Sequence, residues 1–493
     1  MADDKGLGLK NWLTGPGRHE TKVEVASEKP IPSNLHRVAV LPFASMSPDV
    51  ADDYFVDGIT EEVISTLSRV RDVEVVSRTS IMHYKKNPQP IKMVSQELGV
   101  DTILEGGVRK AGNRLRITIQ MIDAKKDQPV WADSYDRELQ DVFAIQSEVA
   151  ARVADALRIK YSGSEASLRK NPTDKTEALN FYLKGRYFWN KRGIEDLKLA
   201  MGYFEQAIKE DPRFALGFVG LADCHQILRS NWNIEPSVNF EKAKGYISKA
   251  LALDPELAEA HTTKALLFLD EFKLKDAELE FGKALDLNPS YALAHQWYHI
   301  QLRAQRRWAE ALQQIEKGLE LDPFSASMRL AYAWYHVFRE DYRSAIPSAK
   351  KSADLNPSFA LAHDTLAYLS GKLGMLEEAR REYTISVKLV QESQPLAAKG
   401  TEASLAWFAD DKEKLRRLLP QLETNMDQAG MSRVEIALFY FYLDQFDKAF
   451  DWLEQAYSHR DWDLVNLPIL PEIPEKARQD RRYMSLLSKL GLD

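Results

Sequence analysis

The chain is predicted to be α+β overall, a small α/β domain followed by an all-α superhelical solenoid, and three observations carry that prediction. Asp-Pro and Asn-Pro pairs place prolines at 255, 289, 323 and 357, so 289−255, 323−289 and 357−323 each give a period of 34 residues. Within the period, Ala311, Ile315 and Gly318 answer to Ala277, Phe281 and Ala284, then to Ala243, Ile247 and Ala250, and to Ala200, Phe204 and Ala207. Spacings of four and three put these residues on one helical stripe, where small side chains let neighbouring helices approach. Ahead of the repeats, residues 37–160 alternate short apolar runs of strand type with one-faced helical stretches.

Residues 1–36 hold Pro16, Pro30 and Pro32, several glycines and no sustained period, and read as a flexible lead-in. From Arg37, RVAVLPF is a strand stopped by proline, and GITEEVISTLSRV is a helix with Ile59, Val63, Ile64 and Leu67 on one face. Asp57 suits that helix's N-cap and Glu61 and Glu62 its first turn. The acidic cluster Asp49, Asp52, Asp53 and Asp57 therefore has an ordinary structural reading ahead of a metal or acid–base one. DVEVVSR is a second strand, and Ile91 to Leu98 a helix ending at Gly99. Two alternating runs then flank Ala111-Gly112-Asn113, with Leu115, Ile117, Ile119 and Met121 on one face and Arg114, Arg116, Thr118 and Gln120 on the other. Val142, Ile145, Val149, Val153 and Leu157 mark an amphipathic helix that closes the domain, and residues 161–175 are a polar, turn-rich linker.

The 34-residue unit resembles the tetratricopeptide repeat. The resemblance covers residues 176–460 as about seven to eight helix pairs, one of them degenerate near 395–430. The second unit is longer, since 255−212 is 43 and 43−34 is 9, and the extra residues around SNWNIEPSVN, Trp232 among them, are expected to project as a loop. Pro347 falls early in its second helix, where it deletes few hydrogen bonds. Residues 461–493 read as a proline-rich loop and a capping helix.

In the first domain, VAVLPFASMSPDVADDYFVDGITEEV, ELGVDTILEGGVRKAGNRLRITIQMIDA and VWADSYDRELQDVFAIQSEVA are similar to the TolB-like amino-terminal domain that precedes tetratricopeptide arrays in bacterial signalling proteins. That resemblance implies a regulatory role. In such relatives the pair follows a cyclase domain, a protein kinase domain or, in CadC-like regulators, a winged-helix DNA-binding domain with a membrane span. The stretch ahead of the match is too short for any of these, so no such activity is carried over.

Composition narrows the function further. A net charge of −7 with a pI near 5.9 offers no global positive field for a phosphate backbone, so nucleic acid is not an expected partner. A lone cysteine, Cys224, suits a reducing compartment, and the longest apolar run, Ile436 to Leu443, is far short of a membrane span of about 20 residues. With no apolar leader either, a cytoplasmic location is expected. No P-loop, HExxH, GxSxG or paired CxxC occurs, so the chain is expected to be non-catalytic and without cofactor or metal. His261, His295 and His363 occupy one place in three repeats, too far apart to share a metal, and are expected to pack within their own units.

The first helix of each unit lines the concave side in repeats of this kind. The register then nominates Thr262, Leu266, Gln296, Ile300, Arg303, Leu330, Trp334, Asp364 and Tyr368 as protein-binding residues. Apolar anchors flanked by Arg303 suit a peptide or helix bearing apolar groups and an acid. The expected function is an adaptor or regulatory protein that binds a protein partner through this groove. The alternative is the regulatory part of a signalling system whose cyclase, kinase or transcription-factor output a partner supplies; an exported envelope protein is the third reading.

Overall fold

The computed structural model describes residues 36–46, 53–70, 73–111, 114–138, 148, 152, 173–232 and 236–492. Residues 1–35, Asp49 and Asp52, Gly112 and Asn113 of the expected turn, all but two residues of the helix expected over 142–157 and most of the linker lie outside these residues.

The first domain is a mixed sheet of β1 (His36–Val40), β2 (Ala44–Ser45), β3 (Val73–Val75), β4 (Thr102–Ala111), β5 (Arg114–Asp123) and β6 (Gln128–Glu138). Strand order is β3-β1-β4-β5-β6, with β2 beside β4; β1 runs parallel to β3 and β4, and β4, β5 and β6 form an antiparallel meander. Parallel neighbours need a crossover, which α1 (Asp53–Ser68) supplies, burying Val56, Ile59, Val63, Ile64 and Leu67. The helix begins at Asp53, so Asp57 lies a turn inside it and is not the N-cap that the sequence suggested. Its carboxylate instead accepts a hydrogen bond from Lys85 Nζ at 2.6 Å. Short helices α2 (Arg78–Ile81) and α3 (His83–Lys86) lead to α4 (Ile91–Leu98), which ends on Gly99 in the left-handed region at φ 62°. On β5, Leu115, Ile117, Ile119 and Met121 are buried while Arg114 and Arg116 stay exposed, the two-residue period of a half-covered sheet.

Paired helices follow: α5 (Thr176–Trp189) with α6 (Ile194–Glu210), α7 (Ala215–Trp232) with α8 (Pro236–Leu253), and α9 (Ala258–Asp270) with α10 (Leu274–Leu287). Next come α11 (Ala292–Ala304) with α12 (Trp308–Leu321), α13 (Ala326–Val337) with α14 (Tyr342–Leu355), and α15 (Ala360–Lys372) with α16 (Leu376–Val390). The series ends with α17 (Ala397–Phe408), α18 (Lys412–Thr424), the single turn α19 (Met426–Ala429), and α20 (Arg433–Tyr442) with α21 (Phe446–His459). The stripe residues Ala200, Phe204, Ala243, Ile247, Ala277, Phe281, Ala311 and Ile315 are all buried between helices. The long second unit departs from the expected loop: α7 and α8 have 18 residues each against 13 and 14 in α9 and α10, so the insertion extends both helices. Helix continuation satisfies the added backbone groups at once, which a projecting loop would leave to solvent. Trp232 is the last residue of α7.

The turn inside each unit has its own signature. Phe272, Arg306, Glu340 and Gly374, each 34 residues after the last, have φ of 57°, 59°, 59° and 76°. Only the last is a glycine, and a side chain in the left-handed region costs about 1–2 kcal/mol. The greater freedom of an unfolded glycine offsets part of that. Glu340→Gly, at an exposed turn, is therefore expected to raise stability by roughly 0.5–1 kcal/mol. A thermal melt of that variant, unchanged or lowered, would show that the turn is not strained.

The α/β domain is fastened to the array along the β3 edge, which would otherwise present unpaired backbone groups. The Val75 and Ser77 amides donate to Ser290 Oγ at 3.3 Å and to the Leu321 carbonyl at 2.7 Å. Asn288 Nδ2 donates to Ser68 Oγ at 3.1 Å, and Arg37 Nη2 donates to the Glu320 carbonyl at 2.8 Å. Ser80 Oγ donates to Asp322 Oδ1 at 2.6 Å and accepts the Phe324 amide at 2.9 Å. Lys317 pairs with Glu74 beside them. Close approach of α1 to α5 depends on Gly58, where an added Cβ would lie 2.3 Å from Leu183 Cδ1.

Candidate functional site

After α21 the chain reverses at Arg460, which takes φ 55°, and enters a 3₁₀ helix, Trp462–Ile469, that lies against α7, α9 and α11. These are first helices of their units, so the chain's own C-terminal segment occupies the face that the register had nominated. Leu464 and Leu467 are fully buried there. Arg229 Nη1 donates to the Arg460 carbonyl at 2.8 Å, Arg303 Nη2 to Asn466 Oδ1 at 3.2 Å and Arg306 Nη2 to the Pro468 carbonyl at 2.8 Å. Further along, Glu472 accepts the Tyr368 hydroxyl and meets Lys372 Nζ at 2.8 Å. Around this segment the last helices reach the early ones: the Phe272 and Tyr457 rings stack with centroids 5.6 Å apart, and the Arg460 guanidinium sits 4.4 Å from the Phe240 ring. The tail then closes with α22 (Glu475–Arg478) and α23 (Arg481–Leu490), the latter burying Tyr483, Leu486, Leu487 and Leu490.

The electrostatics of this face follow from its burial. Arg303 is pushed down to about 9 by burial, an effect that Asp463 opposes, and its guanidinium also lies 4.6 Å from the Phe338 ring. Burial likewise lowers Arg229, which is paired with Asp270, and raises Asp463. The strip of basic groups is thus matched by carbonyls, an amide and carboxylates of residues 460–472.

The nine nominated residues divide by what they touch. Arg303 and Tyr368 hold the C-terminal segment. Thr262, Leu266, Gln296 and Leu330 are buried, the Thr262 hydroxyl donating back to the Ala258 carbonyl at 2.8 Å. The remaining three, Ile300, Trp334 and Asp364, are half-buried. The Trp334 indole N–H donates to Thr365 Oγ1 at 3.2 Å, and its ring lies 5.6 Å from Tyr368 and 5.3 Å from Phe338. Asp364 is pushed up to about 6 by burial, against a hydrogen bond with Ser386. Arg229, Arg306 and Lys372 also serve this face and were not nominated. Arg306 and Lys372 fall three and four residues after Arg303 and Tyr368, a spacing that could have found them.

The periodic histidines work inside their own units. Nε2 of His261, His295 and His363 meets the carbonyl of Pro255, Pro289 and Pro357 at 2.9, 3.0 and 3.2 Å. Arg329, at the equivalent place, donates to the Pro323 carbonyl at 3.0 Å from Nη2. Each ring's Nδ1 is taken by the second helix of its unit, through Glu280, Gln314 and Glu382. The position ties a proline turn to the helix pair after it.

Over parts of its length the chain is similar to known regulators. Residues 34–152 match the second domain of HilA/YgeH-like transcriptional regulators. The chain is 34% identical over 276 residues to a putative adenylate cyclase 3 of Rhizobium meliloti, a match spanning 54% of this chain and 46% of that protein. The chain therefore spans less than half the length of that relative. It is 22% identical over 426 residues to the transcriptional regulator HilA of Salmonella typhimurium, covering 86% of this chain and 74% of the regulator. Pseudomonas aeruginosa pilF is similar at 25% identity with a TM-score of 0.31, over 42% of this chain and 93% of that one. The chain thus joins a HilA-like second domain to a tetratricopeptide-like array and is related to HilA regulators and to a putative cyclase. No helix among the described residues is long and apolar enough to cross a membrane.

Proposed function

We propose that this is a non-catalytic, cytoplasmic regulatory protein of bacterial signalling that binds a protein partner on the first-helix face of its array. The TolB-like assignment of the first domain, which rests on three sequence blocks, belongs to the same proposal. One observation carries the reading: this face already holds a peptide segment with apolar side chains and acidic groups, residues 460–472, through Arg229, Arg303, Arg306 and Lys372. A partner would use the part of the face left half-exposed around Trp334, Asp364 and Tyr368. The kinship with regulators supports the alternative in which a partner supplies a transcription-factor or cyclase output. Affinity capture with the full chain tests both, since a reproducible partner carrying such a domain selects the alternative and no reproducible protein partner sinks the proposal.

Two substitutions separate binding from folding. Trp334→Ala is expected to weaken association by a few kcal/mol, as loss of an aromatic anchor does. Ala311→Trp is expected to cost about 1–3 kcal/mol of stability, because Ala311 is fully buried beside Leu302 and Tyr335 and its carbonyl accepts from His299 Nδ1 at 2.9 Å. Melts and binding titrations on the captured partner check the pair. Normal binding by folded Trp334→Ala would remove Trp334 from the site.

A further inference from the structure

The half-exposed part of the first-helix face differs in charge from the part that the C-terminal segment covers. Under that segment the cations are committed. Arg303 donates to Asn466 Oδ1 and Arg306 to the Pro468 carbonyl, while Arg229 pairs with Asp270 and donates to the Arg460 carbonyl. Two of the segment's acids are met as well, Asp461 by Arg433 at 3.0 Å and Glu472 by Lys372 at 2.8 Å. Between them the face turns acidic. Asp364 on α15, Glu435 on α20 and Asp463 of the segment itself enter no ion pair among the described residues. Asp364 and Asp463 are half-buried, and Glu435 is open to solvent although the surrounding helices wall it in. That enclosure, and then the nearby Asp463 and Asp364, push Glu435 up to about 7, against the Ser432 amide that it accepts at 2.8 Å. The cations within reach are few: Arg229 and Arg303 act on Asp463, and His363, already bonded to Glu382, acts on Asp364.

These carboxylates are too spread for a single ion, since no group of three or more His, Cys, Asp or Glu among the described residues is placed to hold a metal. Their distribution over two helices and the segment calls for several cations on one chain. Beside them lie the Trp334 and Tyr368 rings, 5.6 Å apart, with Phe408 6.0 Å beyond Tyr368. Aromatic faces attract ammonium and guanidinium groups and cover their apolar stems. We propose that the partner segment bound on this face is basic: a peptide or helix whose lysines or arginines meet Asp364, Glu435 and Asp463 while apolar groups pack on Trp334 and Tyr368. The inference rests on the reading of this face as a protein-binding surface. It reverses the acidic partner that Arg303 suggested by register, because Arg303 is spent on the chain's own segment. The same carboxylates repel a phosphate backbone.

The test selects a phage-displayed library of random dodecapeptides on the full chain, with Trp334→Ala, Glu435→Gln and Asp364→Asn in parallel. Glutamine keeps an acceptor for the Ser432 amide, so the capping box of α20 survives. The expected peptides bind wild type, fail on Trp334→Ala and are enriched in Lys and Arg over Asp and Glu. They bind roughly threefold or more weakly to each carboxylate variant, and more weakly as salt rises from about 50 to about 500 mM. Glu435→Gln alone locates the site if Trp334→Ala fails to fold. Peptides that depend on Trp334 yet are neutral or acidic overturn this inference and leave the protein-binding reading standing, as does unchanged affinity in both carboxylate variants. A library that yields no peptide sensitive to any of the three substitutions overturns both.

Discussion

Leu467→Ala is expected to lower the unfolding free energy by about 2–5 kcal/mol, the range for emptying a fully buried leucine site. Its side chain is 0% exposed, within the apolar cluster that joins Leu464 and Ile473 to the helices from α17 onward. Its carbonyl also accepts the Tyr483 hydroxyl at 3.2 Å, so the backbone is held and cannot slide to refill the space. A surface loop laid over a groove would lose far less. Urea denaturation of wild type and variant measures the difference, and a loss under about 1 kcal/mol would mean that residues 462–469 lie on the array without being part of its core. The same logic bears on the binding proposed above: a partner on this face would meet a segment whose removal destabilises the protein.

The repeats were legible because their energetics are local. Ala277, Phe281 and Ala284 are fully buried, Phe281 stacking on Tyr298 of the neighbouring unit, so a 34-residue period and a helical stripe suffice to place them. The alternation of Leu115, Ile117, Ile119 and Met121 is legible for the same reason, since one face of a strand meets one core. What stayed hidden acts over long separations or through ordinary residues. Nothing in DWDLVNLPILP says that Asn466 will meet Arg303, 163 residues away. Ser290 and Asp322 read as turn residues, and only the folded chain shows them receiving the α/β domain. The left-handed turn at Phe272, Arg306 and Glu340 is invisible because glycine, its usual mark, appears only at 374. Groove candidates chosen by register lie on the first helices of their units, but register cannot tell a face open to a partner from one already covered by the same chain.

Asp322→Asn is expected to remove a pH dependence that the wild type shows between about pH 4 and 6. Asp322 sits at the seam between the domains, 6% exposed, and burial pushes it up to about 6 from an ordinary 3.8. Hydrogen bonds from Ser80, Ser77 and Thr79 oppose that shift without cancelling it. The native state therefore binds this proton more tightly than the unfolded chain. Its stabilising contribution is fully present below the unfolded value and is lost as pH rises through the folded one, a change of about two units or roughly 3 kcal/mol. Wild type should thus gain stability relative to Asp322→Asn as pH falls from 7 to 4.5, and the two should run parallel above 7. The asparagine keeps an acceptor for the Ser80 hydroxyl, so the seam should survive the substitution. Ser80→Ala removes one of the hydrogen bonds to Asp322 and leaves the Phe324 amide without its acceptor, at about 1–3 kcal/mol. Urea titrations of the three proteins at pH 4.5, 5.5, 7 and 8 decide the matter: parallel curves throughout would mean that Asp322 is ionised across the whole range and that the seam is held by the β3 backbone contacts instead.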